Sequence, residues 1–193
     1  MFYMEIIKIN LENLDEAIIH KTAEIIKIGG IIVVSTDTIY GLICDAGNEE
    51  AICRIYAIKE RDLAKPIGVF MKDVQMTREY VKIAKEQEEL LATPDTFILP
   101  LIKKLPFQKN TLGIRISHSP LISALISILN FPLAQTSANI SGASLGNDID
   151  AIIRVFENRD IRPDLILDAG KLLERKASRV IDLTGDSQKI LRE

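Results

Sequence analysis

The stretch "STDTIYGLICDA", Ser35 to Ala46, decides how the rest of the chain is arranged. It follows the double glycine Gly29–Gly30 and the apolar run "IIVV", whose β-branched residues predict a buried strand. The segment "NEEAICRIYAIKE" after it has an Asn cap and helical apolar spacing, which predict a helix. We therefore expect the stretch to join a strand to a helix and to hold its hydroxyls, acid and glycine at the strand end.

Segments with strand and helix patterns alternate along the whole chain. Helices are predicted in "LDEAIIHKTAEIIKIGG", in a polar region from about Val74 to Leu91, in "SPLISALISIL" and in "DIDAIIRVFEN". Further strands are predicted in "PIGVFM", "TFILPLI", "GIRIS", "FPLAQTSANISG", "DLILDAG" and "SRVIDLTG". Because the alternation follows no strict repeat, the sequence predicts one α/β domain over residues 1–193, with a twisted mixed sheet.

Composition narrows the class of protein. The 193 residues are 47% apolar and 26% charged, which is typical of a soluble globular domain, and the formal charge of −3 disfavours general coating of nucleic acid. The two cysteines, Cys44 and Cys53, form no CxxC pair and are predicted to be reduced, as in a cytoplasmic protein. No apolar run approaches the roughly 18 residues of a membrane span, and the N-terminus lacks a secretion pattern.

Three polar clusters lie where predicted strands or helices end, which is where open α/β sheets bind ligands. The first is "STDTIYG"; the second is "KERDLAKP", with Lys59, Arg61 and Lys65; the third is "TSANISG". Lysine, arginine, hydroxyl and amide groups of this kind suit a polyphosphate. Taken singly, each cluster is explained better by turn chemistry or by a solvated surface than by ligand binding.

The sequence lacks the residues that several common kinds of active site require. The sequence contains neither GxxxxGK[ST] nor GxGxxG, so the two common phosphate fingerprints are missing. With only His20 and His118, neither a histidine zinc site nor a Ser-His-Asp triad is predicted, and no protein metal site is expected. Asp168 and Asp182 follow predicted strands, where they can cap turns as readily as hold Mg²⁺.

In their order along the chain, the clusters resemble the YrdC-like family of threonylcarbamoyl-AMP synthases, in its short single-domain form. The matching segments are "STDTIYGL", "KERDLAKP", "TLGIRIS", "SANISG" and "DAGKLLERKASRVIDL". The resemblance implies a YrdC-like twisted mixed β-sheet flanked by helices, with a concave ligand-binding surface. The chain departs from the family pattern at Ser35, where Pro is usual, at "ATPDTFIL" in place of PGPxTxxL, and at Arg179 in place of Thr.

The resemblance implies a nucleotidyltransferase that makes threonylcarbamoyl-AMP and pyrophosphate from L-threonine, bicarbonate and ATP. The adenylyl group would pass to N-carboxy-L-threonine, with Mg²⁺ bridging the phosphates. A threonylcarbamoyl transferase complex would then move the product's acyl group to the adenosine beside the anticodon of tRNA.

The resemblance also assigns residues to roles. Lys59 and Arg61 would be catalytic. ATP would be held by Lys59, Arg61, Lys65, Thr111, Ser137, Asn139 and Arg192, and L-threonine by Thr36, Arg115 and Ser178.

Two alternatives stay open at this point. One is a YrdC-like protein that binds tRNA or double-stranded RNA without this catalysis, against which the low aromatic content of 5% weighs. The other is an enzyme that adenylates a different carbamate or carbamoyl substrate, which the departure at Arg179 suggests.

Overall fold

Ten strands, five α-helices and one 3₁₀ helix make up the computed structural model over the residues that it describes, 4–142, 147–173, 175, 178–185 and 187–193. The helices are α1 (Glu16–Lys27), α2 (Glu49–Lys59), α3 (Val74–Tyr80), the 3₁₀ helix (Lys85–Ala92), α4 (Pro120–Leu129) and α5 (Ile149–Glu157). The strands are β1 (Glu5–Lys8), β2 (Ile32–Ser35), β3 (Tyr40–Asp45), β4 (Gly68–Met71), β5 (Thr96–Pro100), β6 (Thr111–Ile116), β7 (Leu133–Ser137), β8 (Leu165–Asp168), β9 (Val180–Asp182) and β10 (Lys189–Arg192).

All of these strands belong to one mixed sheet, in the order β1-β8-β2-β3-β7-β4-β6-β5-β9-β10. Four of the neighbouring pairs are parallel (β1 with β8, β2 with β8, β4 with β6, β5 with β9) and the other five are antiparallel. Helices pack against the sheet, α1 and α2 on β3 and α3 on β4, and α1 also packs on α4. The predicted α/β architecture with a mixed sheet is therefore confirmed.

The opening stretch does not lead directly from a strand into a helix, as its sequence pattern suggested. It forms a hairpin in which β3 returns antiparallel to β2, with Val34 opposite Gly41 and Ser35 opposite Tyr40, and the helix begins only after β3. Leu42 and Ile43 are both fully buried, because β3 is covered on both faces. A strand buried on both faces lacks the polar alternation that reveals a strand in sequence, which explains why β3 was missed.

Other differences lie at the sheet edges and in one helical region. The edge strands β1 and β10 were not predicted as secondary structure from their patterns, and β10 is exposed along its whole length. The polar region from Val74 to Leu91 is two elements, because α3 ends at Tyr80 and a 3₁₀ helix follows. Ser35 ends β2 with a buried hydroxyl, and nothing in the structure explains why it stands where Pro is usual.

Helix caps were predictable because they depend on local chemistry. The side chain of Asn48 accepts a hydrogen bond from the Ala51 amide at the start of α2. At the end of α1, Gly29 adopts φ +86° and the Gly30 amide donates to the Ile25 carbonyl oxygen over 2.8 Å. This glycine pair turns the chain sharply from α1 into β2.

Strand alternation places a cavity on one face of the central sheet. Successive side chains of a strand point to opposite faces. On β5, Thr96 and Ile98 line the cavity, whereas Phe97 and Leu99 are buried in the core. β6 shows the same pleat, with Thr111, Gly113 and Arg115 lining the cavity and Leu112 and Ile114 buried, whereas β7 lines it with three consecutive residues, Gln135 to Ser137.

Two further features are the state of the cysteines and the length of the helices. Cys44 is buried, Cys53 is exposed, and both are free thiols. Among the helices of the described residues, none combines the length and the apolar character that a membrane span needs.

Replacing Gly30 by alanine tests the close approach at the end of α1. The new Cβ would lie 2.6 Å from the Ile25 carbonyl oxygen and 2.3 Å from Ile25 Cγ2. Because that oxygen is fixed by the helix end, we expect Gly30→Ala to lower the free energy of unfolding by about 1–3 kcal/mol, as overpacking does. Urea unfolding followed by circular dichroism measures this.

Gly185→Ala is the matched control, because a Cβ there meets no heavy atom of the described residues within 4 Å. Its free energy of unfolding should stay within about 0.5 kcal/mol of the wild type. Equal stability of the two variants would contradict the close approach.

Candidate small-molecule binding site

A cavity of about 400 Å³ opens on the central sheet. Its lining comes from the β2–β3 turn, the loop after α2, and strands β3 to β7, β9 and β10. Seven of the ten predicted site residues line it: Thr36, Arg61, Thr111, Arg115, Ser137, Ser178 and Arg192. Residues that are far apart in sequence therefore meet at one concave surface.

Three glycines in the lining leave space in the cavity. Gly41, Gly68 and Gly113 line it from three strands, and the Cα of Gly68 lies 3.9 Å from the Cβ position of Gly113. A Cβ on Gly68 would lie 2.8 Å from the Gln135 side chain. The space for a ligand therefore depends on these strands carrying hydrogen atoms where others carry side chains.

The β2–β3 turn forms one wall, and the Thr36 hydroxyl holds it together. This hydroxyl donates to the Ile39 carbonyl oxygen over 2.7 Å and accepts from the amides of Thr38 and Ile39 at 3.2 and 3.3 Å. Thr36 lines the cavity, yet its hydroxyl proton is already used by the turn. Its predicted contact with L-threonine stays a prediction, and the hydroxyl would have to accept rather than donate.

Arg115 lies on the cavity wall with only 3% of its surface exposed. Its Nη2 is 2.7 Å from Asp37 Oδ2, but this ion pair is not aligned as a hydrogen bond. Nε and Nη2 have no hydrogen-bond partner within the described part of the chain. The positive charge is thus compensated while two N–H groups stay open, which suits a bidentate anion such as a carboxylate.

The opposite end of the cavity is formed by β5 and the edge strands. Thr96 Oγ1 and Ser178 Oγ lie 3.0 Å apart and share a hydrogen bond. Arg192 Nη2 donates to the Ser178 carbonyl oxygen over 2.6 Å and approaches the Ser178 hydroxyl at 3.4 Å. Thr111, at the start of β6, also faces this end.

The three cations of "KERDLAKP" have three different environments. Arg61 is half-buried and lines the cavity, and its guanidinium donates to the carbonyl oxygens of Lys65 and Pro66 at 3.2 and 2.9 Å. Lys65 is exposed and does not line the cavity. Lys59 is 1% exposed and lies behind the cavity wall. A uniform surface run of charge, which was the plain alternative, does not describe this loop.

The ammonium group of Lys59 binds the "TSANISG" loop. Its Nζ donates to the carbonyl oxygens of Ser137 and Asn139 at 2.6 and 2.8 Å and to Asn139 Oδ1 at 2.9 Å. Burial lowers the pKa of Lys59 from 10.5 to about 8, and the charge of Arg61 acts in the same direction. The three oxygens favour the charged form, and together they fix the loop to the end of α2.

Two contributors to the site were missed in the sequence. Asp37, the partner of Arg115, was taken only as a turn residue. Tyr40 lines the cavity, and its hydroxyl donates to the Gly170 carbonyl oxygen over 2.7 Å and accepts from the Ala169 amide over 3.0 Å. Burial raises the pKa of Tyr40 to about 12, so it stays a neutral link between β3 and the segment after β8. Both residues stand inside "STDTIYG", which was the available clue.

The fold and the cavity define an α/β protein with a polar binding site on a mixed sheet, lined by arginines, hydroxyls and glycines. A family model, Sua5/YciO/YrdC, described as "Telomere recombination", matches residues 24–193. The threonylcarbamoyl-AMP synthase of Hydrogenovibrio crunogenus is 30% identical over 150 residues, which are 72% of this chain and 81% of that protein. The chain belongs to the Sua5/YciO/YrdC family.

Solved structures similar to this chain include a Sua5 and a YciO. P. abyssi Sua5, in a crystal structure complexed with L-threonine, has a TM-score of 0.88 and 28% identity over 97% of this chain. This chain spans 56% of the length of that protein. E. coli YciO has a TM-score of 0.85 and 28% identity, and the match covers 100% of this chain and 96% of YciO.

Replacing Lys59 by methionine tests its hold on the loop. The carbonyl oxygens of Ser137 and Asn139 would lose their donor, and leaving buried polar groups unpaired costs about 1–3 kcal/mol. We expect urea unfolding to show Lys59→Met destabilised by this amount at pH 7, whereas Lys65→Met, at an exposed position of the same loop, should match the wild type. Equal midpoints for the two variants would contradict the role of Lys59.

The pH dependence of the same measurement has a defined sign. Because the pKa of Lys59 is about 8 in the folded protein and 10.5 in the unfolded chain, the unfolded chain binds more protons between these values. The wild type should therefore gain stability relative to Lys59→Met as the pH rises from 8 to 10.5. Lys65→Met should show no such trend against the wild type.

Proposed function

We propose that this protein is a threonylcarbamoyl-AMP synthase, which joins L-threonine, bicarbonate and ATP to give threonylcarbamoyl-AMP and pyrophosphate. The observation that carries the proposal is the convergence of seven predicted substrate residues on one cavity. The names of the similar proteins, a threonylcarbamoyl-AMP synthase and a Sua5 complexed with L-threonine, support the same assignment.

The reaction needs no nucleophile from the protein. The threonine amine captures bicarbonate-derived CO₂ as a carbamate, and a carbamate oxygen attacks the α-phosphate of ATP in line, with pyrophosphate leaving. Two anions must therefore be brought together, and positioning with charge neutralisation supplies the catalysis. The cavity suits this task, since three arginines line it and no Asp or Glu of the described residues does.

Arg115 is the proposed partner of the threonine carboxylate. Its open Nε and Nη2 are two parallel donors, and the nearby Asp37 keeps its charge paired when the cavity is empty. Thr36 and Ser178 would complete the threonine contacts from the two ends of the cavity. A buried guanidinium held in place by a carboxylate loses little freedom when it binds, which favours affinity.

The triphosphate would be held by arginines and hydroxyls. Arg61 and Arg192 supply charge, and Thr111 and Ser137 supply neutral hydrogen bonds. Lys59 and Asn139 are bonded to each other, so a phosphate oxygen would have to replace an oxygen of the loop for Lys59 to touch ATP. Lys65 is exposed and would contact the phosphates only when a nucleotide is bound.

Mg²⁺ would arrive with ATP and not reside on the protein. The described residues contain no group of three or more His, Cys, Asp or Glu that could hold a metal ion. Hydroxyls and phosphate oxygens are then the available ligands, and the metal would neutralise the charge on the phosphates.

The product is a reactive mixed anhydride, so a partner must consume it. We propose a threonylcarbamoyl transferase complex that acts on tRNA as that partner. Direct binding of tRNA or double-stranded RNA by this chain is a separate proposal, which the net charge of −3 does not favour.

Pyrophosphate release from ATP and bicarbonate, with each amino acid in turn, tests the function. Release that depends on L-threonine is expected. Release only with another amine or carbamoyl compound would favour the alternative adenylating enzyme. No release with any substrate, together with a salt-sensitive shift of tRNA in gels, would favour the RNA-binding alternative.

Arg115→Lys tests the carboxylate contact. Lysine keeps the charge beside Asp37 but loses the paired N–H geometry, so transition-state stabilisation should fall by about 2–5 kcal/mol when the buried contact is broken. We expect a raised KM for threonine with an ATP KM close to that of the wild type, in the same pyrophosphate assay.

Arg61→Ala is the contrasting variant, because its loss should raise the KM for ATP and not that for threonine. Circular dichroism must show both variants folded. Unchanged threonine dependence in folded Arg115→Lys would sink the assigned role.

A further inference from the structure

An ion pair lies directly behind one wall of the cavity. Arg179 Nε donates to Asp95 Oδ1 over 3.0 Å, and Arg179 Nη2 donates to Asp95 Oδ2 over 2.6 Å. Thr93 Oγ1 also donates to Asp95 Oδ2 over 3.0 Å. The contact is bidentate, the geometry in which an arginine fixes a carboxylate most firmly.

Each member of this pair is the chain neighbour of a residue that lines the cavity. Asp95 precedes Thr96 and Arg179 follows Ser178, and the hydroxyls of Thr96 and Ser178 lie 3.0 Å apart at the cavity wall. The Thr96 amide also donates to the Arg179 carbonyl oxygen over 2.9 Å. The ion pair, this backbone bond and the hydroxyl contact thus connect the same two segments.

The connection matters because the sheet edge has few other ties at this point. The pairing of β9 with β5 runs over only three register positions, from Thr96 opposite Val180 to Ile98 opposite Asp182. β10 pairs with β9 in turn, and its Arg192 binds the Ser178 carbonyl oxygen. Ser178, two residues before β9, and Arg192, on β10, therefore reach the cavity from segments whose position depends on the β5–β9 junction.

Burial of the pair is unequal. Asp95 is 5% exposed, whereas the Arg179 side chain is 52% exposed and does not line the cavity. The hydrogen bond from Arg179 holds the pKa of Asp95 below its usual value, although burial opposes this. Arg179, the departure from the family's usual Thr, is thus turned toward Asp95, within the "ATPDTFIL" departure, and away from the ligand space.

We propose that Asp95 and Arg179 form a positioning pair that holds the Thr96–Ser178 wall and thereby sets the affinity for L-threonine without touching it. The part about threonine rests on the proposed function. The two departures from the family pattern are then one feature. Arg179, just before β9, and Asp95, just before β5, together hold the edge of the sheet.

The test compares Arg179→Thr, Asp95→Ala and the double variant by two measurements. Hydrogen exchange of the unliganded protein reports whether the amide of Thr96, bonded to Arg179, opens more often. Calorimetric titration reports the dissociation constants for L-threonine and for ATP. We expect each single variant to exchange faster at Thr96 and to bind threonine about tenfold more weakly. ATP affinity should fall as well, because Arg192 depends on the same junction.

The double variant should bind threonine no more weakly than the single variant of lower affinity, because the effects of removing two partners of one contact are not additive. Arg54→Thr is the matched control. Arg54 pairs with Asp164 through both carboxylate oxygens, at 2.9 and 3.0 Å, and neither residue lines the cavity. The Arg54→Thr variant should be less stable than the wild type, with the exchange rate at Thr96 and the threonine affinity unchanged.

The two measurements separate the possible failures. Unchanged exchange at Thr96 in the variants would overturn the positioning role, whatever the ligand. Faster exchange with unchanged threonine affinity would overturn the link to threonine. A wild type that binds no threonine would instead refute the proposed function, while exchange still decides whether the pair holds the wall.

Discussion

The antiparallel return of β3 along β2 is the constraint on which the site depends. Its tight turn is closed by Thr36, which bonds to Ile39 through both backbone and hydroxyl. The turn carries Asp37 to the buried Arg115, and the strand that follows brings Gly41 to the cavity floor. Had the chain passed directly from β2 into α2, the acid, the glycine and Tyr40 would lie on a loop, and Arg115 would lose its ion-pair partner Asp37.

Buried charge is handled in two different ways around the cavity. Lys59 is surrounded by oxygens of a single loop, and its hydrogen bonds to them fix the chain from Ser137 to Asn139. Arg115 is paired through charge but keeps donors open, so it is prepared for an anion. The free-energy cost of burying each charge is offset differently, and only the second arrangement leaves hydrogen-bonding capacity for a ligand.

Sequence patterns predicted what depends on neighbours along the chain. The Asn48 cap and the glycine stop of α1 follow from local chemistry, and the polar clusters marked the right segments. What they could not predict is which hydrogen bonds are already used. Thr36 and Ser178 both carry a hydroxyl group. The first closes a turn through Ile39, whereas the second shares a hydrogen bond with Thr96, which is distant in sequence. β3 was missed for a related reason, since burial on both faces is a property of the sheet and not of the segment.

Fold likeness alone does not decide the chemistry, because one fold can carry sites with different functions. The discrimination must lie in the side chains around a shared scaffold. Here glycines and neutral groups line the cavity together with three arginines, so under the proposed function a ligand would be held by its anionic groups with part of it against the backbone. Such a site would select by the distance between two anionic groups more than by the identity of the group between them. Selectivity for one amino acid then has to come from the few contacts that fix the wall positions, and the Thr96–Ser178 wall is set by residues in which this chain departs from the family pattern.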